Sequence, residues 1–183
     1  KLGAPETVRV AKTMMHRIRQ AEEADKKPSS YYMRVLKEAK RRSIEEFAVA
    51  TALVTVQQIY AAFGRGDIPA LLGCLHEDVL WEHWAQPSSA QSAGVPWLRA
   101  GTGKDAVAAF FGIVGTMKIN SFQVLGMMAS EHQVAVEVAM DATLANGKPL
   151  RDEEIHLWNV DANGKVLRMR HYVDTARHIA AAA

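Results

Sequence analysis

Apolar positions recur every three to four residues through the first part of the chain and every second residue through the last third. The first period predicts helices and the second predicts strands. Val8, Ala11, Met15 and Ile18 form one helical stripe, with Arg9, Lys12, Arg19 and Glu23 among the polar positions between them. The stretch from Asp25 to Ser30 interrupts it, and Ser29 or Ser30 can cap a second helix whose stripe is Tyr32, Val35, Leu36 and Ala39. Ser43-Ile44-Glu45-Glu46 has capping-box spacing and predicts a new helix there. Its broad apolar face, Ile44, Phe47, Ala48, Leu53, Val56, Tyr60 and Phe63, ends at a Gly64 C-cap. A short helix over Ile68 to Leu75 follows, and Gly103 to Val114 predicts another, with Phe110, Phe111 and Val114 facing inward.

Leu75 to Pro87 holds a short opening strand whose side chains alternate between Val79/Trp81/His83 and Leu80/Glu82/Trp84. Later strands are predicted at about 119–128, 132–145, 150–160 and 166–174, joined by hairpin turns at Asn146-Gly147-Lys148 and Ala162-Asn163-Gly164-Lys165. Consecutive antiparallel strands after three helices make the class α+β, with one curved sheet wrapped around about three helices. Between the opening strand and the third helix, Gln86 to Thr102 is rich in Ser, Ala, Gly and Pro yet carries Trp97 and Arg99. A long loop with such residues reads as a lid or a packed flap.

Charge divides the chain. Residues 1 to 42 hold twelve Lys/Arg against five Asp/Glu, a balance of +7, and residues 43 to 183 hold ten against fifteen, a balance of −5. The expected organisation is a basic helical N-terminal arm, 1–43, and an α+β domain, 44–183. A basic amphipathic arm can bind nucleic acid or an anionic membrane, but the acidic body favours docking on its own domain or on a partner subunit's. No nucleic-acid motif is present, so neither nucleic acid nor membrane is expected as a partner. The lone cysteine, Cys74, excludes an internal disulfide and reads as a buried thiol, with a catalytic nucleophile as the alternative. No apolar run approaches the roughly twenty residues of a membrane span, and no signal-peptide core is recognisable, so a cytoplasmic location is expected.

The order of elements, with FGRGDIPALLGCLHEDVLWEHW (63–84), the helix start Gly101-Thr102-Gly103-Lys104-Asp105, and DANGKVLRMRHYVDT (161–175), resembles the SnoaL-like, ketosteroid-isomerase-related branch of the nuclear transport factor 2-like superfamily. The resemblance covers roughly residues 46 to 178. It implies a cone-shaped curved sheet that encloses a pocket with the helices, and a homodimer through the convex sheet face. The scaffold hosts isomerases, dehydratases, cyclases, epoxide hydrolases and binding modules, so fold does not fix function. Alternation on the last strand turns Leu167, Met169, His171 and Val173 inward. Setting the preceding hairpin as in the limonene-epoxide-hydrolase branch turns Asp152, Glu154, His156 and Trp158 inward, along with Glu137, Ala139 and Asp141. Val134, Val136, Val138 and Met140 then form a convex stripe for the dimer, unless that stripe is the core and the acids face solvent. Where that branch carries its Asp-Arg-Asp trio, this chain has His171, Glu137 and Ala139. Its Tyr and Asn on the first strand are replaced by Trp81 and His83. Limonene-type hydrolysis is therefore not expected, and the steroid-isomerase carboxylate base with its Tyr/Asp oxyanion pair is not reproduced either.

The expected pocket holds His83, His156 and His171 near Glu154 and Asp141, between Trp81 and Trp158. Imidazoles beside a carboxylate suit cofactor-free proton transfer next to a carbonyl, as in isomerisation, dehydration or aldol-type ring closure of a small hydrophobic compound. His83 and His171 are the expected acid/base groups, with Glu154 orienting one of them. Trp81, Trp158, His156, Asp141, Glu137, Tyr60, Trp97 and Arg99 are the expected substrate-binding residues, without a metal or cofactor. A non-catalytic binding or dimerisation module and a metal site of two His and a carboxylate are the alternatives. His16 and His178 are expected to face solvent, His76 to sit in a turn and His132 at a hairpin corner. Asp174-Thr175 is expected to cap a tail helix, Ala176 to Ala182.

Overall fold

Long helical periods followed by period-two segments give the order found in the computed structural model, which describes residues 4–24 and 28–183. The elements are α1 (Ala4–Glu23), α2 (Ser30–Gly64), α3 (Ile68–Gly73), β1 (Leu75–Trp81), α4 (Ser89–Ser92), a 3-10 turn (Pro96–Leu98), β2 (Gly101–Thr102), α5 (Gly103–Val114), β3 (Lys118–Ala129), β4 (Gln133–Thr143), β5 (Pro149–Val160), β6 (Val166–Tyr172) and α6 (Thr175–Ala182). Two compact units result, Lys1–Ala50 and Thr51–Ala183. The boundary thus falls inside α2 rather than at the expected 43/44.

In the first unit Ala11, Leu36 and Ala39 are buried and Val10, Met14 and Ile18 pack against them. The buried stripe of α1 is therefore turned by about one position from the expected one, and Val8 and Met15 are each 43% exposed. Ser29 Oγ accepts from Tyr31 N at 3.3 Å and opens α2, as one of the two expected caps. The Asp25-Lys26-Lys27 part of the break lies outside the described residues. Ser43 opens nothing. From Ser30 to Phe63 no Gly or Pro interrupts the helix, and Arg41 bonds both Glu38 and Glu45 across the expected break.

Contrary to the sequence reading, α2 is long and apolar enough, by length and composition, to cross a membrane. Thr55, Gln57 and Gln58 interrupt the apolar letters, but no charged residue stands between Phe47 and Gly64, so the average remains apolar. Ala52, Val56, Ile59 and Ala62 from this stretch belong to the core of the second unit.

That unit is a six-stranded, curved, open sheet in the order β2-β1-β6-β5-β4-β3. Its neighbours are antiparallel except β1 and β6, which run parallel. One residue of loop geometry decides which face of β4 is inside. The β4–β5 hairpin closes with Gly147 N on Leu144 O at 2.9 Å and Leu144 N on Lys148 O at 2.9 Å, and Gly147 has φ 82°. This is a three-residue loop ending in a left-handed glycine, whereas a two-residue Asn-Gly loop would have reversed the parity of the whole pair. The register puts Val134, Val136, Val138 and Met140 opposite Trp158, His156, Glu154 and Asp152, and directly opposed residues share a face.

The expected inward turn of Glu137 and Asp141 is therefore overturned. Val134, Val136 and Val138 are fully buried, 0% exposed, which stabilises by roughly 1.5–3 kcal/mol per side chain. Glu137 is exposed, and Asp141 pairs on the outer face with Arg151 at 2.7 Å and accepts from Asn120 at 2.8 Å. The Val stripe is core, so it cannot serve as the expected convex dimer contact. The turn at 162–164 has the same form, with Gly164 at φ 76°. An irregularity between Asn159 and Val160 then shifts the β5–β6 register. As a result Leu167 is 40% exposed rather than inward.

Candidate functional site

Strand β5 (Glu154, His156), strand β6 (His171), helix α2 (Tyr60) and helix α6 (His178) supply polar residues of one apolar cavity. Its volume is about 90 Å³ and its lining includes Tyr60, Phe63, Trp81, Trp97, Phe110, Phe111, Phe122, Glu154, His156, Trp158, His171 and His178. No Lys or Arg is among the lining residues.

The most informative departure from simple alternation is at the end of β1. Trp81 and Glu82 are adjacent, yet both are buried, at 2% and 1% exposed. Glu82 has φ 58°, a left-handed conformation that is uncommon outside glycine. The chain turns there, so Glu82 takes the inward direction that strict alternation would have given to His83. Glu82 N donates to Met169 O at 2.9 Å and Gln91 Nε2 donates to Glu82 O at 2.8 Å, which hold the turn. Glu82 Oε1 accepts both from His171 Nδ1 and, at 3.2 Å, from the His171 backbone N–H.

His171 lies directly opposite His156 in the β5–β6 register, and their rings stand 4.3 Å apart at 85°. His156 Nε2 is 3.0 Å from Glu154 Oε2 and its Nδ1 is 2.7 Å from Tyr60 Oη. Tyr60 Oη also accepts from Trp158 Nε1 at 3.2 Å. On the far side of Glu154, His178 Nε2 lies 3.3 Å from Oε1 and 3.1 Å from Asp152 Oδ2. Trp97 Nε1 donates to His178 Nδ1 at 2.9 Å.

These contacts fix most proton positions. An indole N–H can only donate, so His178 Nδ1 is unprotonated and its Nε2–H points at the two carboxylates. Burial raises the Glu154 carboxyl, but hydrogen bonds from His156 and His178 and the charge at His171 outweigh it and hold it well below the usual carboxylate range. An ionised Glu154 requires a donor at His156 Nε2, so His156 Nδ1 accepts from the Tyr60 hydroxyl. Burial and the neighbouring His171 keep His156 below its ordinary value, against the opposing pull of Glu154 and Glu82. Burial also raises Tyr60, partly offset by the Trp158 hydrogen bond. His171 behaves oppositely: burial lowers it, but Glu82 and then Glu154 more than compensate and raise it above 6.5. Its Nε2 carries no hydrogen bond among the described residues, and the ring lines the cavity.

The structure thus brings together His171, Glu154, His156, Trp81, Trp158, Tyr60 and Trp97. It does not bring His83, Glu137, Asp141 or Arg99 to the cavity. His83 Nε2 is 2.9 Å from Thr102 Oγ1, and Arg99 is exposed. Sequence reasoning missed Glu82 and placed His178 in solvent, although His178 is 1% exposed. A carboxylate next to Trp81 was the only signal for Glu82, and nothing in the Ala-rich tail marked His178. Asp174 caps α6 through a 3.2 Å bond from Arg177 N, as expected. The flap is of the packed kind, since Ala90, Val95 and Leu98 form a small core against Trp97, Val173 and Ile179. Cys74 is outside the lining and burial pushes its thiol up, which does not activate it.

Two groups of ligand atoms lie within 4.8 Å of one another and could share a cation, Glu154/His156/His171 and Asp152/Glu154/His178. Both use Glu154, whose two oxygens already accept from the histidines, so a cation would have to displace those hydrogen bonds.

No curated protein matches the chain. Among solved structures, an NTF2-like protein of unknown function from Burkholderia pseudomallei is similar at 27% identity and TM-score 0.60, covering 73% of this chain and 98% of that one. A Mycobacterium tuberculosis protein in complex with estradiol-17β-hemisuccinate is similar at 19% identity and TM-score 0.57, covering 69% and 96%. The Δ5-3-ketosteroid isomerase from a Mycobacterium species is similar at 18% identity and TM-score 0.55, covering 69% and 95%. The sequence model of the SnoaL-like domain matches residues 56–169, more than half of the chain, and the protein belongs to that family.

Proposed function

We propose that the protein is an acid/base catalyst that moves a proton next to a carbonyl in a small hydrophobic compound, through isomerisation, dehydration or aldol-type ring closure. The observation that carries this reading is the Glu82–His171 pair, in which Nδ1 is held by a buried carboxylate while the ring lines the cavity and Nε2 has no hydrogen bond among the described residues. His171 Nε2 takes the proton from the carbon beside the carbonyl. The imidazolium that forms is stabilised by Glu82, and the same nitrogen returns the proton to a different carbon or to a departing hydroxyl. Glu154 acts through His156 and His178 as a positioning group, because both of its oxygens are engaged. His83, one of the two acid/base groups expected from sequence, has no part in this step, and Glu82 takes the orienting role expected of Glu154.

The fold neighbours support a small-molecule cavity, since one is described with an estradiol ester bound and another as a ketosteroid isomerase. A pure binding module would use the same cavity, and the neighbour with a bound steroid derivative favours it as the second reading. Incubation of single-ring ketones with the protein in deuterium oxide separates the two. Acid/base function predicts deuterium at the α-carbon in wild type and at least a hundredfold less with His171→Asn. Binding without exchange in wild type would leave the binding module.

A further inference from the structure

Trp81 Nε1 is buried and has no hydrogen-bond partner among the described residues. The other two tryptophans of the cavity differ in this respect, since Trp97 donates to His178 and Trp158 donates to Tyr60. Trp81's ring neighbours explain the lack of an acceptor. Phe110, Trp158, Phe111 and His171 surround it at centroid distances of 5.1, 5.9, 6.2 and 6.3 Å. A buried N–H left unpaired carries its full desolvation cost, and such groups are rare enough in folded proteins to require an explanation.

The remaining polar atoms of the cavity are committed to one another. Tyr60, His156, Glu154 and His178 close a hydrogen-bonded chain. Two polar positions on lining residues thus lack a partner among the described residues, one indole donor at Trp81 and one imidazole nitrogen at His171. With no Lys or Arg in the lining and the His171 imidazolium already matched by Glu82, nothing there would neutralise a carboxylate, phosphate or thioester carrier. At roughly 10–15 Å³ per water, about 90 Å³ is room for a compound of about one ring.

We propose that Trp81 Nε1–H is the oxygen-binding donor of this site, and that its ligand is an uncharged, single-ring carbonyl compound. The carbonyl oxygen accepts from Trp81 and the adjacent carbon faces His171 Nε2. The two rings are in edge contact, 6.3 Å between centroids, so one ligand in the cavity borders both. In a proton transfer the negative charge develops on that oxygen, so the donor makes Trp81 a catalytic residue as well as a specificity determinant. The catalytic half of the inference rests on the acid/base reading above, whereas the binding half does not.

The test uses a matched pair, acetophenone and α-methylstyrene, which differ by exchange of the carbonyl oxygen for a methylene. The full chain, 15N-labelled, is titrated with each while the indole N–H resonances are followed. The expected result is that acetophenone moves the Trp81 indole proton downfield and α-methylstyrene does not. Trp81→Phe should weaken acetophenone binding about five- to tenfold with little effect on α-methylstyrene. The proposal is overturned if neither compound binds at millimolar concentration. It is also overturned if both move the resonance alike, or if the indole proton lies downfield throughout and responds to neither, which would make a resident water its partner. Because the first readout uses wild-type protein, a Trp81→Phe chain that fails to fold does not remove the test. Acetophenone that moves the resonance but gains no deuterium would leave the Trp81 donor standing and sink the acid/base reading. Deuterium uptake without movement would do the reverse.

Discussion

Glu82 carries more of this site than any histidine does, because it sets both the direction and the basicity of His171. Replacing it with Gln keeps a hydrogen-bonding side chain but removes the charge, and the expected loss of stability is about 1–3 kcal/mol near neutral pH. The pH dependence follows from the shifts. His171 is raised above 6.5 in the folded protein, so its contribution is complete below about 6.5 and is lost as pH rises through the folded value. His156 is lowered from 6.5, so the unfolded chain takes up its proton first and stability falls as pH drops below about 6.5. Glu154, lowered from 4.5, adds a loss as pH falls further. Urea unfolding at a series of pH values should therefore show decline on both sides, and Glu82→Gln should flatten the alkaline limb and steepen the acid one, because Glu82 raises both His171 and His156. An unchanged alkaline limb would mean that Glu82 does not set His171.

At the scale of elements, the strands and helices were legible because their periods are long and consistent, but the parity of a strand is not a property of its period. Gly147 decides it for β4 and β5 through a left-handed conformation that β-carbon sterics penalise by about 1–2 kcal/mol. Gly147→Ala should lower stability by that amount, as read from the urea midpoint. Inside the strand, Val136→Asp should destabilise by more than about 3 kcal/mol, whereas Glu137→Gln should stay within about 0.5 kcal/mol. The reverse order would restore the acids to the interior. The same reasoning explains what was readable of the site. His171, His156 and Glu154 share a face under plain alternation, and Trp158 follows them. Glu82 required a turn at a non-glycine residue, for which no local letter pattern exists. The helix break expected at Ser43 failed for a related reason: a capping box is a possibility offered to the chain, and ion pairs among Glu38, Arg41 and Glu45 favour continuing the helix.

For the molecule as a whole, the two units differ in what holds them. The buried cluster of the first unit is Ala11, Leu36 and Ala39, small side chains for the most part. That of the second includes Trp81, Trp158, Met169 and the buried valines of β4. Hydrogen exchange should therefore be far faster across Ala4–Glu23 than across β4 and β5, and mass spectrometry of exchanged peptides reads this directly. Equal protection would mean that the N-terminal residues are stabilised by more than the contacts within their own unit. The candidate site lies in the second unit, where a carboxylate–imidazole pair faces a cavity without Lys or Arg. The most direct measurement is an NMR titration of the His171 ring in wild type and in Glu82→Gln. The account predicts that His171 titrates above 6.5 in wild type, falls toward or below it in the variant, and responds in wild type when acetophenone is added. A His171 that titrates at the same pH in both proteins and ignores the ketone would contradict it.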